Sequence, residues 1–450
     1  MRELAKKVLQ PFYQILNLFL LPYLHRYYFR KINRISRDTQ LFFMTRPDLG
    51  TCFLLMHYAQ CWQKERGPAT LVIFTTHMKK IVEYAKGICP DVQIIHFDNL
   101  LSRFLISIFK NELPQHFTFQ PVYSYACCRW PHALYLYDRV FSREKNLNVS
   151  CYVKQFDPIL KEPWPFSDDL LKAYLKFRRV ADYRRPVFED MIRLHHSCLP
   201  KIVETPKHPV LDSRELLQRL KIEGFYVVLN VNCKLYKGGG RNNRKIHHPQ
   251  RYNTLIDFLI SHGFSVVIQG RHEQPTFAPR KGLISYAHTQ EASPINDLKL
   301  CSNSSFGIFN KTGPLNLCMT AGTPVLGLDF VELATTDPNG RSRFFPKFLW
   351  DKKKDQYIHW KEALYRPCFY DVGCVYHEED TVQYVDLTEE ELIAAATEFL
   401  PLISQPSSQW TDYSPLQLTY KKALHPIHLD QYELLDVPCN AYLGSKKFSA

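Results

Sequence analysis

Short apolar runs alternate along this chain with longer stretches in which apolar residues recur every third or fourth position. Gln40 to Met44 (QLFFM) predicts a short buried strand, and Thr45 to Gly50 (TRPDLG) a turn. Thr51 to Gln63 then predicts a helix with Phe53, Leu54, Met56, His57 and Trp62 on its apolar side. Thr70 to Phe74 (TLVIF) predicts a second strand, His77 to Lys86 a second helix, and Val92 to Phe97 (VQIIHF) a third strand. Strand, helix and strand at this spacing predict a parallel sheet with helices on both faces. Leu100 to Lys110 and Asp168 to Arg179 carry helical spacing, whereas residues 114–165 are rich in Tyr, Phe, Trp and Pro without steady period. That aromatic stretch reads either as an acceptor surface or as an insertion packing on itself.

A boundary falls in PKIVETPKHP at 200–209, after which the alternation restarts. Ser213 to Lys221 predicts a helix, Phe225 to Val231 (FYVVLNV) a strand of the fully buried, β-branched kind, and Lys234 to His248 a basic, glycine-rich loop. Pro249 to His262 predicts a helix with Tyr252, Leu255, Ile256 and Leu259 on one face; Gly263 caps it, and Phe264 to Ile268 (FSVVI) is the next strand. Ser293 to Lys299 predicts a short helix, Phe306 to Phe309 a strand end, and Val325 to Leu328 another strand. The run from Asp386 (DLTEEELIAAATEF) predicts a strong helix, with Thr388 and Glu391 spaced as a capping box. Beyond about Pro406 the pattern predicts an irregular tail. The expected division is therefore an arm at 1–38, an α/β domain at 39–205, a second at 206–385, and a C-terminal helix and tail at 386–450, with a cleft between the two α/β halves.

Composition adds three constraints. A chain of 450 residues with 45% apolar content exceeds what one hydrophobic core usually holds, which agrees with two domains. The formal charge of +13 suits an anionic partner such as nucleotide phosphate or anionic lipid, or else an ordinary basic surface; no recognised motif accompanies it to make nucleic acid the expected partner. The thirteen Cys are odd in number and form no CxxC pair, so we expect reduced thiols, no zinc site and a cytoplasmic protein. The arm's apolar centre (Val8 to Leu24) is too short and too interrupted by Pro11, Gln14, Asn17 and Pro22 for a spanning helix, and no cleavage site follows it. Its flanking Arg2, Lys6, Lys7, Arg26, Arg30, Lys31 and Arg34 fit a helix resting peripherally on an anionic inner leaflet, or one packed on the protein's own surface.

Four loops after strands carry the candidate chemistry. In SSFGIFNKTGPLNLCMTAGTPVLGLD (304–329), Thr312 or Gly313 can cap a helix whose first turn holds Pro314 and which ends at Gly322. Free N–H groups at such a start suit a phosphate, with Lys311 adding charge; a ligand-free corner is the alternative. Lys237, Arg241, Arg244 and Lys245 surround three glycines, either as a loop closing on an anion or as solvated surface. Asp48 sits in the first strand-to-helix turn, as a general base toward a sugar hydroxyl or as a helix cap. Gln269, Arg271 and Glu273 follow the FSVVI strand, as ribose or phosphate contacts or as a polar loop. His247-His248 and His377 to Asp380 lack a complete ligand set, so no metal site is expected.

The run NKTGPLNLCMTAGTPVLGL at 310–328 resembles the asparagine-Asp-Thr-Gly-Pro-x-His-Leu-Ala signature of bacterial heptosyltransferases. Together with RNNRKIHHPQRYNTLIDFLISHGFSVVIQGR (241–271) and INDLKLCSNSSFGIFNKTG (295–313), it is similar to an uncharacterised glycosyltransferase family found with surface-polysaccharide genes. The resemblance covers about residues 225–400, with a fainter match at LFFMTRPDLG. It implies a GT-B fold: two Rossmann-like domains facing a cleft, with the nucleotide-sugar donor mainly on the C-terminal one and no metal or cofactor. It implies donor phosphates on Lys311, Thr312, Gly313 and Pro314 with Arg241 and Lys245, and the nucleotide and sugar near Asn232, Gln269, Gly270, Arg271 and Asn310. It puts Asp48 at the position of the catalytic base. Lys311 stands where the signature has an aspartate, and Asn316 where it has a histidine. The implied activity is sugar transfer to a glycan or glycolipid acceptor in surface-polysaccharide or lipopolysaccharide synthesis. A sugar-nucleotide epimerase of the same fold and a non-catalytic nucleotide- or polyanion-binding protein are the alternatives.

Overall fold

The computed structural model describes residues 40–44, 56, 59–60, 62–64, 67–73, 81–96, 212–233, 245–271, 273–310, 312–331, 341–364, 381–424 and 437–448. The arm, the aromatic-rich stretch at 114–165 and Asp48 lie outside these residues. In the N-terminal half, β1 (Gln40–Met44), β2 (Ala69–Ile73) and β3 (Gln93–His96) form a parallel sheet in that order, with α1 (Ile81–Ile88) between β2 and β3. This is the strand–helix–strand arrangement expected from the apolar pattern. Leu71 and Ile73 are fully buried, as is Ala85 on α1.

The C-terminal half is built on a six-stranded parallel sheet. After α2 (Arg214–Arg219) come β4 (Tyr226–Asn230), a 3-10 turn at Pro249–Arg251, α3 (Tyr252–Ser261), β5 (Ser265–Ile268) and β6 (Leu283–Ile284). Then follow α4 (Pro294–Asn303), β7 (Phe306–Phe309), α5 (Leu315–Thr320), β8 (Val325–Phe330) and β9 (Ser342–Pro346). The strand order is β6-β5-β4-β7-β8-β9, and every neighbouring pair is parallel. Counted from β4 as the first strand, that is the order 3-2-1-4-5-6 of a doubly wound nucleotide-binding sheet. All five residues of β4 and all four of β7 are buried, because helices cover both faces of a parallel sheet.

Local signals set the helix ends. Gly263 closes α3 at φ +85° and Gly322 follows α5 at φ +71°, both in the left-handed region that glycine enters without cost. α4 starts with the Asn296 amide donating to Ser293 Oγ at 3.4 Å, with Pro294 in the first turn. α7 (Glu389–Ile403) carries the expected capping box: Thr388 N donates to Glu391 Oε2 at 2.8 Å, and Glu391 N to Thr388 Oγ1 at 3.3 Å.

Two regions depart from the sequence expectation. Between β9 and α7 the chain builds an antiparallel sheet, β11-β10-β12, from β10 (Phe348–Asp351), β11 (Gln356–Tyr357) and β12 (Val382–Val385), with α6 (Trp360–Ala363) between β11 and β12. Asp351 Oδ1 accepts from the amides of Lys353 and Lys354 at 3.0 and 3.1 Å, which turns β10 back on itself. In the tail beyond Pro406, the described residues 407–424 and 437–448 form regular turns and helices rather than an irregular run. They include a 3-10 turn (Ser407–Thr411), α8 (Pro415–Leu424) and α9 (Asn440–Leu443). Their anchors are aromatic and non-periodic: Trp410 meets Phe399 with ring centroids 5.6 Å apart, Tyr420 meets Trp360 at 5.5 Å, and Tyr442 meets Phe345 at 5.5 Å. Isolated aromatics separated by Pro and Ser give no helical signature, so only their burial marks the segment as structural.

Glycine in β7 is a packing requirement. A Cβ on Gly307 would lie 2.2 Å from the Phe309 ring and 2.7 Å from Cys318 Sγ of α5. Gly307→Ala is therefore expected to lower stability by about 1–3 kcal/mol through overpacking, read as an earlier midpoint in chemical denaturation.

Candidate functional site

The strand order reverses between β4 and β7: β5 and β6 lie to one side of β4, while β7, β8 and β9 lie to the other. In an open parallel sheet this reversal opens a crevice at the carboxyl ends of the two central strands, since the following loops leave in opposite directions. Val231 to Cys233 follow β4, and Asn310, Thr312, Gly313 and Pro314 follow β7, at this end of the sheet.

These segments are stitched together by side-chain amides. Asn232 N donates to Asn310 Oδ1 at 2.7 Å, and Asn230 Nδ2 donates to the Gln269 carbonyl at 2.9 Å. Thr312 Oγ1 donates to Asn230 Oδ1 at 3.3 Å, which ties the corner after β7 to the end of β4. Ile246 N donates to Asn232 O at 2.8 Å, closing the base of the basic loop against the crevice. Asn310 also donates through Nδ2 to Tyr252 Oη at 3.1 Å and to Leu328 O at 2.8 Å. Asn310 is thus a structural crosslink at the floor, 1% exposed, and Asn232 is 5% exposed beside it.

The corner itself is exposed at Gly313 and half-buried at Thr312 and Pro314. Leu315, Asn316 and Leu317 donate their amides back to Thr312 O, Gly313 O and Pro314 O at 3.2, 3.1 and 3.0 Å. Pro314 has no N–H, so the amides that this corner can turn toward a ligand are those of Thr312 and Gly313. α5 spans only six residues. Local amides, more than a long helix dipole, are what the corner offers an anion. Lys311 and Arg241 lie outside the described residues. Lys245 is half-buried, and its carbonyl accepts from Lys347 Nζ at 2.7 Å.

Beneath the crevice lies an ionic knot that the sequence reading missed. Asp329, at the end of β8, is fully buried and adopts φ +53° where the β8–β9 register shifts. It accepts from Arg251 Nη2 at 3.2 Å, Tyr252 Oη at 2.9 Å and Leu387 N at 2.8 Å. Asp386 pairs with Arg251 at 3.0 Å and with the wholly buried Lys347 Nζ at 2.7 Å, and it accepts from His247 N at 2.9 Å. Arg251 also bonds the Leu387 carbonyl. Burial pushes the Asp329 carboxyl up, against the pull of Arg251 and Lys347. Burial also pushes on Asp386, but Lys347 and Arg251 outweigh it and hold its carboxyl low. An acid closing an apolar strand (VLGLD) was the available signal for Asp329; nothing in the sequence pairs it with residues as distant as Arg251 and Asp386.

A second polar cluster lies at the carboxyl end of β5. Arg271 is exposed, whereas Gln269 and Gly270 are buried, Gly270 at φ +124°. A Cβ on Gly270 would fall 2.9 Å from Asn230 Nδ2, so the turn is tight against β4. The Gln269 side chain lies beside Asp297 of α4, yet neither of its amide atoms makes a hydrogen bond of ordinary geometry. Burial raises the Asp297 carboxyl to about 7, opposed by Tyr286, Arg271, Gln269 and the Gly270 amide.

Two stability outcomes follow. Lys347→Met leaves Asp386 and Asp329 short of a cation in the interior and is expected to cost about 3–5 kcal/mol, measured by chemical denaturation near neutral pH. Asp297 has a folded-state value above the unfolded one, so wild-type stability falls as pH rises from about 4 toward 7 and levels off above. Asp297→Asn is expected to gain relative to wild type by up to about 4 kcal/mol at pH near 8 and by little at pH near 4, in paired denaturation curves.

No protein-family model and no curated protein matches the sequence. Among solved structures, the chain is similar to a glycosyl transferase family 9 protein from Veillonella parvula, at 12% identity and TM-score 0.37, over 82% of this chain and 98% of that one. It is similar to S. aureus MnaA in complex with UDP, at 9% identity and TM-score 0.33, over 82% and 97% of the two chains. It is also similar to the UDP-GlcNAc 2-epimerase of Methanocaldococcus jannaschii, at 10% identity and TM-score 0.33, over 80% and 99%. The fold assignment rests on the strand order described above.

Proposed function

We propose that this protein is a glycosyltransferase of GT-B organisation that moves a sugar from a nucleotide-sugar donor to a glycan or glycolipid acceptor. The observation that carries this reading is the β4/β7 reversal of the parallel sheet, with the Thr312–Gly313–Pro314 corner at its mouth. That is where a doubly wound sheet receives a nucleotide, and Gly313 lets phosphate oxygens approach the backbone closely. The donor diphosphate lies on the Thr312 and Gly313 amides, with Lys311, Arg241 and Lys245 supplying positive charge. Arg271 lines the nucleotide side, with the buried Gln269 and Gly270 behind it. Asn232 and Asn310 hold the floor in place.

In this mechanism the acceptor hydroxyl oxygen attacks the anomeric carbon while the bond from that carbon to the diphosphate breaks. Asp48 takes the hydroxyl proton, and the leaving diphosphate keeps the bonding pair, stabilised by the corner amides and the basic side chains. The chemistry needs no bound metal, because these cations and N–H groups occupy the role of the counter-charge. The basic arm holds the enzyme peripherally at the cytoplasmic membrane face, near a lipid-linked acceptor in surface-polysaccharide synthesis. No helix among the described residues is long and apolar enough to cross a membrane.

A thermal-shift screen against nucleotide sugars tests the donor site. A true donor at about a hundred times its dissociation constant adds roughly 2.7 kcal/mol of stability. Gly313→Asp sets a carboxylate against the phosphates and is expected to abolish that shift; an unchanged affinity in this variant excludes the corner. Asp48→Asn is expected to keep donor binding and to lower turnover about a hundredfold or more. Epimerisation of the donor with no acceptor present would sink the transferase reading.

A further inference from the structure

At the edge of the C-terminal sheet opposite the crevice lies an open cleft of about 590 Å³, walled by β9, the second half of α7, the end of the 3-10 turn Ser407–Thr411 and α8. The strand register gives its place. Arg343 of β9 pairs with Leu326, the second residue of β8, so it sits near the amino ends of the strands, whereas the Thr312–Pro314 corner follows the carboxyl end of β7. Arg343 lines this cleft and is only 4% exposed. Its Nη1 donates to Ser342 O at 2.8 Å and its Nη2 to Trp410 O at 2.7 Å. The guanidinium carbon stands 5.4 Å from the Trp410 ring centre and 5.6 Å from that of Tyr413, so both rings hold the group in place. Among the described residues no carboxylate pairs with it. A guanidinium carries five N–H donors, and two neutral carbonyls leave part of that set and its whole charge unmatched. Buried charges are ordinarily paired, so an unpaired one in the wall of an open cleft marks a place for an anionic group from outside.

The other groups at the cleft narrow the kind of anion. Glu398 is committed to the start of α9: its Oε1 accepts from Asn440 N at 2.8 Å and from Asn440 Nδ2 at 3.0 Å, and its Oε2 from Ala441 N at 3.2 Å. Asp412 is exposed at the rim. Two carboxylates disfavour a phosphate or a densely charged polyanion, yet they accept readily from hydroxyl groups. Gln417 is buried and locked, accepting from Ser414 N at 3.1 Å and donating to Pro438 O at 2.9 Å, so the polar wall is set before any ligand arrives. Leu402 and Leu418 add apolar surface. A single cation, hydroxyl acceptors and a small apolar strip together match a sugar that carries one carboxylate. We propose that this cleft binds an acidic sugar residue of a glycan, with its carboxylate on Arg343 and its hydroxyls on Asp412 and the polar wall. The choice of a sugar rests on the transferase reading above, whereas the unpaired Arg343 stands without it. The site gives the enzyme a hold on an acidic glycan that is separate from the donor crevice.

The test uses the full-length protein near neutral pH and ligand-observed NMR titration with D-glucuronate, D-glucose, acetate and inorganic phosphate. Glucuronate is expected to bind about tenfold or more tightly than glucose, which lacks the charge, and than acetate, which lacks the hydroxyls. Arg343→Gln is expected to abolish the preference for glucuronate over glucose. Because Arg343 is buried, a second variant acts at the rim: Leu418→Trp, at a position 44% exposed, fills the cleft and is expected to weaken glucuronate about tenfold while nucleotide-sugar binding at the Gly313 corner is unchanged. Asp412→Ala is expected to weaken glucuronate and glucose alike and to leave acetate unaffected. Acetate or phosphate binding as tightly as glucuronate overturns the sugar assignment, and glucose binding as tightly overturns the role of Arg343. No glucuronate binding by the wild type, or undiminished binding by Leu418→Trp, overturns the cleft, and a nucleotide sugar that still stabilises the same protein then leaves the transferase reading standing. Glucuronate binding by a protein that no nucleotide sugar stabilises supports the cleft and sinks the donor site instead.

Discussion

Two carboxylates and two cations meet where β8 ends and α7 begins, and the geometry of the crevice depends on that meeting. Asp329 and Asp386 are far apart in sequence, as are Arg251 and Lys347, and each acid finds its charge balance only in the folded chain. Replacing such a knot with apolar residues is often neutral for stability, whereas removing one member is costly. Its value here is positional. Arg251 starts α3, Asp329 ends β8, Asp386 precedes α7, and Lys347 reaches the carbonyl of Lys245. One cluster therefore sets where two helices begin, where β8 stops and where the basic loop rejoins the sheet.

Above the knot, Asn310 carries that constraint to the crevice. Its side chain bonds Tyr252, which bonds Asp329, and it also holds the Asn232 amide at the end of β4. Thr312 and Gly313 then stand on a floor whose polar atoms are already committed. A rigid floor is what a phosphate-binding corner requires, because amides contribute most when they need not reorganise around the charge. The same economy makes Asn230, Asn232 and Asn310 scaffolding and leaves the exposed Gly313 and Arg271 as the positions that meet solvent.

Much of this was legible in the chain. The strands within FYVVLNV and FSVVI (Tyr226–Asn230 and Ser265–Ile268, with Phe225 left exposed), the glycine stops at Gly263 and Gly322, and the Thr388–Glu391 capping box each depend on neighbours within a few residues. The corner at Thr312 to Pro314 was visible for the same reason. The β9–β12 region was not anticipated, because SRFFPKFLWD mixes charge and aromatics without a clean period and its strands are stabilised by pairing with distant partners. The C-terminal tail was read as irregular because Trp410, Tyr420 and Tyr442 are too widely spaced to form a stripe.

The sequence by itself determined the alternation of strands and helices, the turn chemistry and the presence of a glycine-containing corner after a buried strand. These follow from steric preference and apolar periodicity, which act over short distances along the chain. Only the tertiary structure decided the strand order β6-β5-β4-β7-β8-β9, and with it the crevice between β4 and β7. It also decided that Asp329, Asp386, Arg251 and Lys347 neutralise one another. Charge in a protein interior is settled by proximity in space, and no local pattern encodes which distant residues will share it.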